Sequence, residues 1–124
     1  MIRILIAEGS FPVRESFAGL LATERDFEVV GTAAHGEEAV QMAKRLAPDV
    51  VVMDSRLPVI DGIEATRLIK RGDPSIGVVM LSAFAHHIKE SVAAGAVVYL
   101  LKGCAPQELF AAIIEAGRTG RQAT

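Results

Sequence analysis

The feature that most constrains this chain is an uninterrupted apolar run, Val50–Met53, that ends directly in a carboxylate, Asp54. Four consecutive apolar, mostly β-branched residues predict a strand buried on both faces, as in a parallel sheet. The segment 55–62 that follows contains proline and glycine and predicts a loop. Because ligands and chemistry sit at the carboxyl ends of strands in open α/β sheets, Asp54 is a candidate functional residue. The other interpretation is an aspartate that only caps the next turn.

The rest of the chain alternates short strands with amphipathic helices. Predicted strands cover Ile2–Ala7, Phe27–Ala33, Val50–Met53, Ile76–Leu81 and Ala96–Leu101. Predicted helices begin at Ser10 and near Pro106, and cover about Glu37–Leu46, Ile63–Arg71 and His86–Ala94. This order implies βαβ crossovers and a parallel sheet. The 124 residues fit one domain of ordinary size, and we predict a domain over 1–118 with a tail or the start of a linker over 119–124.

Composition excludes several classes of function. The net charge of −2 gives no general affinity for nucleic acid. The single cysteine, Cys104, excludes an internal disulfide framework and suits a reducing compartment. No apolar run approaches the roughly 20 residues of a membrane span, and the first residues lack the features of a signal peptide. We therefore expect a cytoplasmic protein that binds neither membranes nor, directly, nucleic acid.

Polar side chains follow three other predicted strands in the same way as Asp54. Glu8 follows the first strand, Ser82 the fourth and Lys102 the fifth. Singly, each is also explained as a solvated strand end or a turn residue. Together they would bring two carboxylates, a hydroxyl and an ammonium to one edge of the sheet. That chemistry suits phosphoryl transfer to a carboxylate, with Asp54 as nucleophile, carboxylate oxygens holding Mg²⁺, and Lys102 and Ser82 stabilising the transferred oxygens.

Four sequence blocks carry a family resemblance: Ile4–Ala7 with Val13–Glu15, Val52–Pro58 with Asp61–Gly62, Met80–Ala83, and Tyr99–Lys102. In order and spacing, the chain resembles the receiver domain of two-component response regulators over essentially its whole length. It is most similar to receivers that precede a helix-turn-helix DNA-binding domain. The resemblance implies a flavodoxin-like (CheY-like) fold, a doubly wound five-stranded parallel sheet with helices on both faces.

The resemblance also implies roles for individual residues. It makes Asp54 the phosphoacceptor, Ser82 the switch hydroxyl, Lys102 the phosphate-binding lysine and Tyr99 the switch aromatic. It implies a Mg²⁺ site formed by three residues, Glu8, Asp54 and Arg56.

The implied partner is a sensor histidine kinase. Two homodimer interfaces are implied as alternatives, one through the fourth helix, fifth strand and fifth helix, the other through the first and fifth helices. The resemblance implies a regulatory domain and not an enzyme, with at most slow self-phosphorylation and self-dephosphorylation. Its expected output is regulation of transcription through a domain outside this chain.

One departure leaves alternatives open. The family usually has two adjacent acids after the first strand, whereas this chain has Glu8-Gly9, so one usual Mg²⁺ ligand is missing. The alternative function is an atypical receiver with impaired Mg²⁺ binding that acts as a phosphorylation-independent interaction module. An aspartyl-phosphate phosphatase of the haloacid-dehalogenase type is disfavoured, because it needs an acid two residues after the nucleophile, where this chain has Arg56.

Overall fold

The computed structural model describes residues 1–122, so residues 123 and 124 of the predicted tail lie outside the described part. Within 1–122, the strands are β1 (Ile2–Ala7), β2 (Phe27–Ala33), β3 (Val50–Asp54), β4 (Gly77–Ser82) and β5 (Val98–Leu101). The helices are α1 (Phe11–Leu21), α2 (Gly36–Leu46), α3 (Gly62–Gly72), α4 (Ile88–Ala94) and α5 (Pro106–Gln122), with a 3₁₀ turn at Ala85–His87 before α4. The described part contains no helix long and apolar enough to cross a membrane.

The strands form one parallel sheet in the order β2-β1-β3-β4-β5. The chain moves outward from β1 to β2, then returns past β1 to β3 and continues in the other direction. The strand order therefore reverses between β1 and β3, and a crevice at such a switch point is where open α/β sheets bind ligands. The predicted doubly wound five-stranded sheet is confirmed.

Both faces of the central strands are buried, as the apolar run Val50–Met53 predicts. Val51 and Met53 pack in the core beneath α2 and α3, whereas Val50 and Val52 pack in the core beneath α1 and α5. This alternation follows from the two-residue period of a strand. It explains why the central strands lack the polar-apolar alternation of a half-exposed sheet.

Side chains define several helix starts. The Ser10 hydroxyl caps α1, His35 Nδ1 accepts from Glu38 N to cap α2, and Asp61 Oδ1 accepts from Glu64 N at 2.9 Å to cap α3. Each of these bonds satisfies a backbone N–H that the first helical turn leaves unpaired.

Three boundaries lie two or more residues from the predicted ones, while ends of β3, β4, α2 and α3 shift by only one residue. The fourth helix begins as a 3₁₀ turn, and α4 itself starts only at Ile88. Strand β5 starts at Val98 instead of Ala96, because Ala96 N donates to Ser91 O and closes the end of α4. Helix α5 continues to Gln122, into the predicted tail, since no proline interrupts residues 107–122.

Candidate functional site

The two acidic residues of the site are held at the carboxyl ends of neighbouring strands. Asp54 ends β3, and Glu8 directly follows β1, so both carboxylates lie at the switch point. Both residues are buried. Glu8 Oε1 accepts from Ser10 N at 3.2 Å, and Asp54 Oδ1 accepts from Arg56 N at 3.1 Å. Backbone N–H groups therefore orient one oxygen of each carboxylate.

Lys102 bridges the second oxygens of the two carboxylates. Its Nζ lies 2.8 Å from Glu8 Oε2 and donates a hydrogen bond to Asp54 Oδ2 at 3.1 Å. The contact with Glu8 Oε2 is a charge pairing, because this buried oxygen accepts no well-directed hydrogen bond. As predicted, the structure brings together Glu8, Asp54 and Lys102 at one edge of the sheet.

The site keeps two negative charges and one positive charge in a largely buried space, and this perturbs their ionisation. Burial raises the pKa of Asp54 above its ordinary value of 3.8, and Glu8 acts in the same direction, while Arg56 N and Lys102 oppose them. Burial disfavours the Lys102 ammonium, but its contacts with Glu8 and Asp54 outweigh that effect and leave the pKa of Lys102 above its ordinary value. Perturbed groups clustered in a crevice are typical of functional sites.

Ser82 lies at the end of β4 and is fully buried. Its Oγ accepts hydrogen bonds from Ser55 Oγ at 2.8 Å and from Phe84 N at 3.1 Å, and its carbonyl accepts from Lys102 N at 2.8 Å. The Tyr99 hydroxyl donates to Phe84 O. Ser82 is therefore connected through the loop after β4 to Tyr99 on β5.

Ser55 is the site residue that sequence reasoning missed. It is buried, and its hydroxyl contacts the predicted switch hydroxyl of Ser82. The available signal was weak, because a serine after Asp54 and before a proline-containing loop is also a common turn residue.

Arg56 contributes differently from the other predicted metal ligands. Its guanidinium lies 4.5 Å from the centre of the Phe84 ring, an arrangement that permits cation–π attraction. A cationic guanidinium does not coordinate a metal, so any ligand from Arg56 has to be its backbone carbonyl oxygen.

The two carboxylates fit Mg²⁺ as far as their chemistry is concerned. Carboxylate oxygens are preferred ligands of this ion, which also keeps several water ligands. Glu8 Oε2 is buried and accepts no directed hydrogen bond, but Lys102 Nζ lies 2.8 Å from it, so a cation bound there would share this oxygen with the ammonium. Residue 9 adds no carboxylate, and among residues 1–122 no group of three or more Asp, Glu, His or Cys side chains is arranged to hold a metal. The site therefore has two anionic ligands for a dication.

The loop between β3 and α3 has unusual backbone geometry at two positions. Gly62 approaches the chain so closely that a Cβ there would lie 1.8 Å from Asp54 O. Val59 has a φ of 75°, in the left-handed region that β-branched residues avoid, and is exposed. Position 62 therefore requires glycine, whereas the backbone at Val59 is strained because that residue carries a branched side chain.

Comparison with known proteins agrees with this geometry. The family model described as the response regulator receiver domain matches residues 4–114. The transcriptional regulatory protein LnrK of Bacillus subtilis is 40% identical over 116 residues, which cover 92% of this chain and 53% of LnrK. The response regulator UvrY of Escherichia coli K12 is 38% identical over 115 residues, covering 91% of this chain and 53% of UvrY. The chain spans about half the length of these curated relatives.

Solved structures show the same architecture. A LuxR-family two-component response regulator from Aurantimonas sp. SI85-9A1 superposes with a TM-score of 0.91 at 31% identity, covering 96% of this chain and 86% of that one. The response regulator domain of Thermotoga maritima CheB gives a TM-score of 0.87 at 32% identity, covering 95% and 97%. Fold, sequence blocks and relatives agree, and the chain therefore belongs to the receiver domain family of two-component response regulators.

Proposed function

We propose that this receiver is a phosphorylation-controlled switch that accepts a phosphoryl group on Asp54. The observation that carries the proposal is the convergence of Asp54, Glu8 and Lys102 at the β1/β3 switch point. Receiver domains generally bind Mg²⁺ at the phosphorylation site. Here we propose the carboxylates of Glu8 and Asp54 and the backbone oxygen of Arg56 as its ligands.

Phosphoryl transfer to Asp54 requires from the protein mainly the correct position of the reacting groups and the neutralisation of charge. An Asp54 oxygen forms a bond to phosphorus while the bond from phosphorus to a histidine nitrogen of a sensor kinase breaks, and the imidazole keeps that electron pair. Lys102 stays close to Asp54 and offsets charge on the incoming oxygens. The Ser82 hydroxyl donates to one of them. The chemistry that a bound Mg²⁺ supplies is further neutralisation of these oxygens.

The output is a change in the surface formed by α4, β5 and α5. Ser82 is linked through Phe84 to the hydroxyl of Tyr99. A phosphoryl group on Asp54 offers the Ser82 hydroxyl a new acceptor, and this changes the hydrogen bonds that hold the loop after β4. Three large apolar side chains are exposed on α4 and β5: Ile88, Val92 and Leu101. Such a surface suits a protein partner. We propose the homodimer contact here, with the surface of α1 and α5 as the alternative.

Relatives named as transcriptional regulators support an output in transcription, through a DNA-binding domain carried outside this chain. A cytoplasmic histidine kinase domain is the proposed phosphoryl donor, which makes the cytoplasm the proposed location. We propose no catalytic turnover beyond slow self-phosphorylation and self-dephosphorylation.

Gly9 favours a second candidate, a receiver that acts as an interaction module without phosphorylation. The absent carboxylate reduces the anionic ligands available to Mg²⁺, and Lys102 already neutralises part of the negative charge at the site. In this candidate the ion pairs of Lys102 serve to stabilise the fold.

The two candidates are separated by incubation with acetyl phosphate and Mg²⁺, followed by intact-mass spectrometry. The phosphorylated switch gains one phosphoryl group, and Asp54→Asn gains none while its circular dichroism is unchanged. Undiminished uptake by Asp54→Asn would refute the assignment of Asp54. No uptake by the wild type, together with no change in its NMR spectrum on addition of beryllofluoride and Mg²⁺, would favour the interaction module.

A further inference from the structure

Ser55 lies directly after the proposed phosphoacceptor in a rigid backbone position. Its N–H donates to Leu81 O at 3.2 Å, and its carbonyl accepts from Gly62 N at 3.0 Å. These bonds connect it to β4 on one side and to the start of α3 on the other. The residue is 3% exposed, so the direction of its hydroxyl is set by the fold and not by solvent.

The hydrogen-bonding capacity of Ser82 explains what Ser55 does. A serine hydroxyl has two acceptor lone pairs and one O–H to donate. Ser82 Oγ accepts from Ser55 Oγ at 2.8 Å and from Phe84 N at 3.1 Å, which uses both lone pairs. Its own O–H remains to be donated to a further acceptor.

We propose that Ser55 is a positioning residue for phosphoryl transfer. By donating to Ser82, it fixes the Ser82 hydroxyl as a donor directed to an oxygen of the phosphoryl group on Asp54. This inference rests on the proposed function of Asp54 as phosphoacceptor. Without the Ser55 hydroxyl, Ser82 Oγ loses one donor and its O–H is free to turn away from the productive direction.

The expected effect is that of one neutral hydrogen bond. Loss of such a bond changes a rate or an equilibrium by roughly three- to tenfold. Ser55 does not touch the phosphoryl group in this scheme, so its whole effect depends on the Ser82 hydroxyl.

The experiment compares Ser55→Thr with Ser55→Val, which have nearly the same shape and differ in the hydroxyl. Any crowding in this buried position affects both variants equally. Rates of phosphorylation by acetyl phosphate with Mg²⁺ are followed by intact mass, in the wild-type and Ser82→Ala backgrounds. We expect Ser55→Thr to be roughly three- to tenfold faster than Ser55→Val when Ser82 is present, and the two to be equal in Ser82→Ala.

Two results would overturn the inference. A Thr-to-Val difference of the same size in Ser82→Ala would mean that Ser55 does not act through Ser82, and equal rates in the wild-type background would mean that its hydroxyl has no role. Both leave the proposed function intact. A wild type that takes up no phosphoryl group refutes the proposed function and the role of Ser55 together.

Discussion

Replacement of Lys102 by methionine tests the electrostatics of the site most directly. The change keeps the length of the side chain and removes the charge that lies 2.8 Å from Glu8 Oε2 and 3.1 Å from Asp54 Oδ2. The two acidic side chains are 4% and 9% exposed, whereas that of Lys102 is 27% exposed. The variant therefore leaves two nearly buried carboxylates facing each other without a counter-charge.

The expected loss lies between two limits. Removing one partner of an exposed ion pair costs about 0–1 kcal/mol, and removing one partner of a fully buried pair costs about 3–5 kcal/mol. Because Lys102 is partly exposed while its partners are buried, we expect Lys102→Met to lower the free energy of unfolding by about 2 kcal/mol at neutral pH.

The loss of unfolding free energy caused by Lys102→Met should become smaller as the pH falls. The pKa of Asp54 is already above 3.8, and removal of Lys102 takes away an interaction that lowers it. At pH values between the raised pKa of Asp54 in the native variant and its pKa in the unfolded chain, the native state binds a proton that the unfolded state lacks. The stability of the variant therefore rises as the pH falls through this range. Each pH unit in this window recovers up to about 1.4 kcal/mol.

Urea unfolding at about pH 7 and pH 5 measures the effect, with Lys70→Met as the matched control. Lys70 Nζ donates at 2.8 Å to two uncharged carbonyl oxygens, those of Pro74 and Ile76. The nearby Asp73 has a pKa below 3.8 because of its bonds to Ser75, so it stays ionised at both pH values.

The control should therefore lose the same stability at both pH values. A loss for Lys102→Met that is equally independent of pH would refute the electrostatic role of Lys102 and assign its effect to packing of its aliphatic stem.

Further predictions concern Gly9, Asp54 and the loop after β3. A Cβ at Gly9 would meet only ordinary contacts, 3.5 Å from Pro58 Cδ and 3.8 Å from Ala34 O, so Gly9→Asp should fold and bind Mg²⁺ roughly tenfold more tightly than the wild type. The neutral Gly9→Asn is its control in NMR titrations, and equal affinities of Gly9→Asp and wild type would mean that Glu8 or water already replaces the missing ligand. In the metal-free protein the Asp54 carboxyl should titrate with a midpoint above 3.8, because burial raises its pKa; a midpoint at or below that value in a carboxyl-carbon NMR titration would contradict the raised pKa. Val59→Gly should raise the free energy of unfolding by about 0.5–1 kcal/mol, because it relieves a φ of 75°, while Val59→Ala, which keeps a Cβ, should gain less in the same denaturation assay. Gly62→Ala should lower the free energy of unfolding by about 2–3 kcal/mol, since its Cβ would lie 1.8 Å from a backbone oxygen, and a loss no larger than that of an alanine in open space at Gly72 would refute the close approach.

Local patterns in the sequence were sufficient to predict the elements of this fold. The run Val50–Met53 predicts a strand buried on both faces because strand side chains alternate with a period of two, and a run that is apolar throughout needs cover on both sides. The position of Asp54 at the end of that strand follows from the same run. The family blocks added the expected fold type, a flavodoxin-like sheet with helices on both faces, and the roles of the site residues.

Boundaries were less predictable, because they depend on packing as well as on local preference. The burial of individual helix residues depends on packing in the same way: Ile114 is as apolar as its neighbour Ile113, yet it is 46% exposed while Ile113 is fully buried. Helix α4 begins late because the backbone after Ser82 is held by Phe84 N and Tyr99. No local pattern encodes such contacts.

The sequence by itself determined which polar groups stand at strand ends, since each strand is recognisable from its own residues. Only the tertiary structure decided which of these groups touch. Lys102 reaches an acceptor 48 positions away, and Ser55 reaches a hydroxyl 27 positions away. Those contacts exist because the strand order places β3 between β1 and β4, and strand order is set by how the helices cover both faces of the sheet, a property of the whole chain.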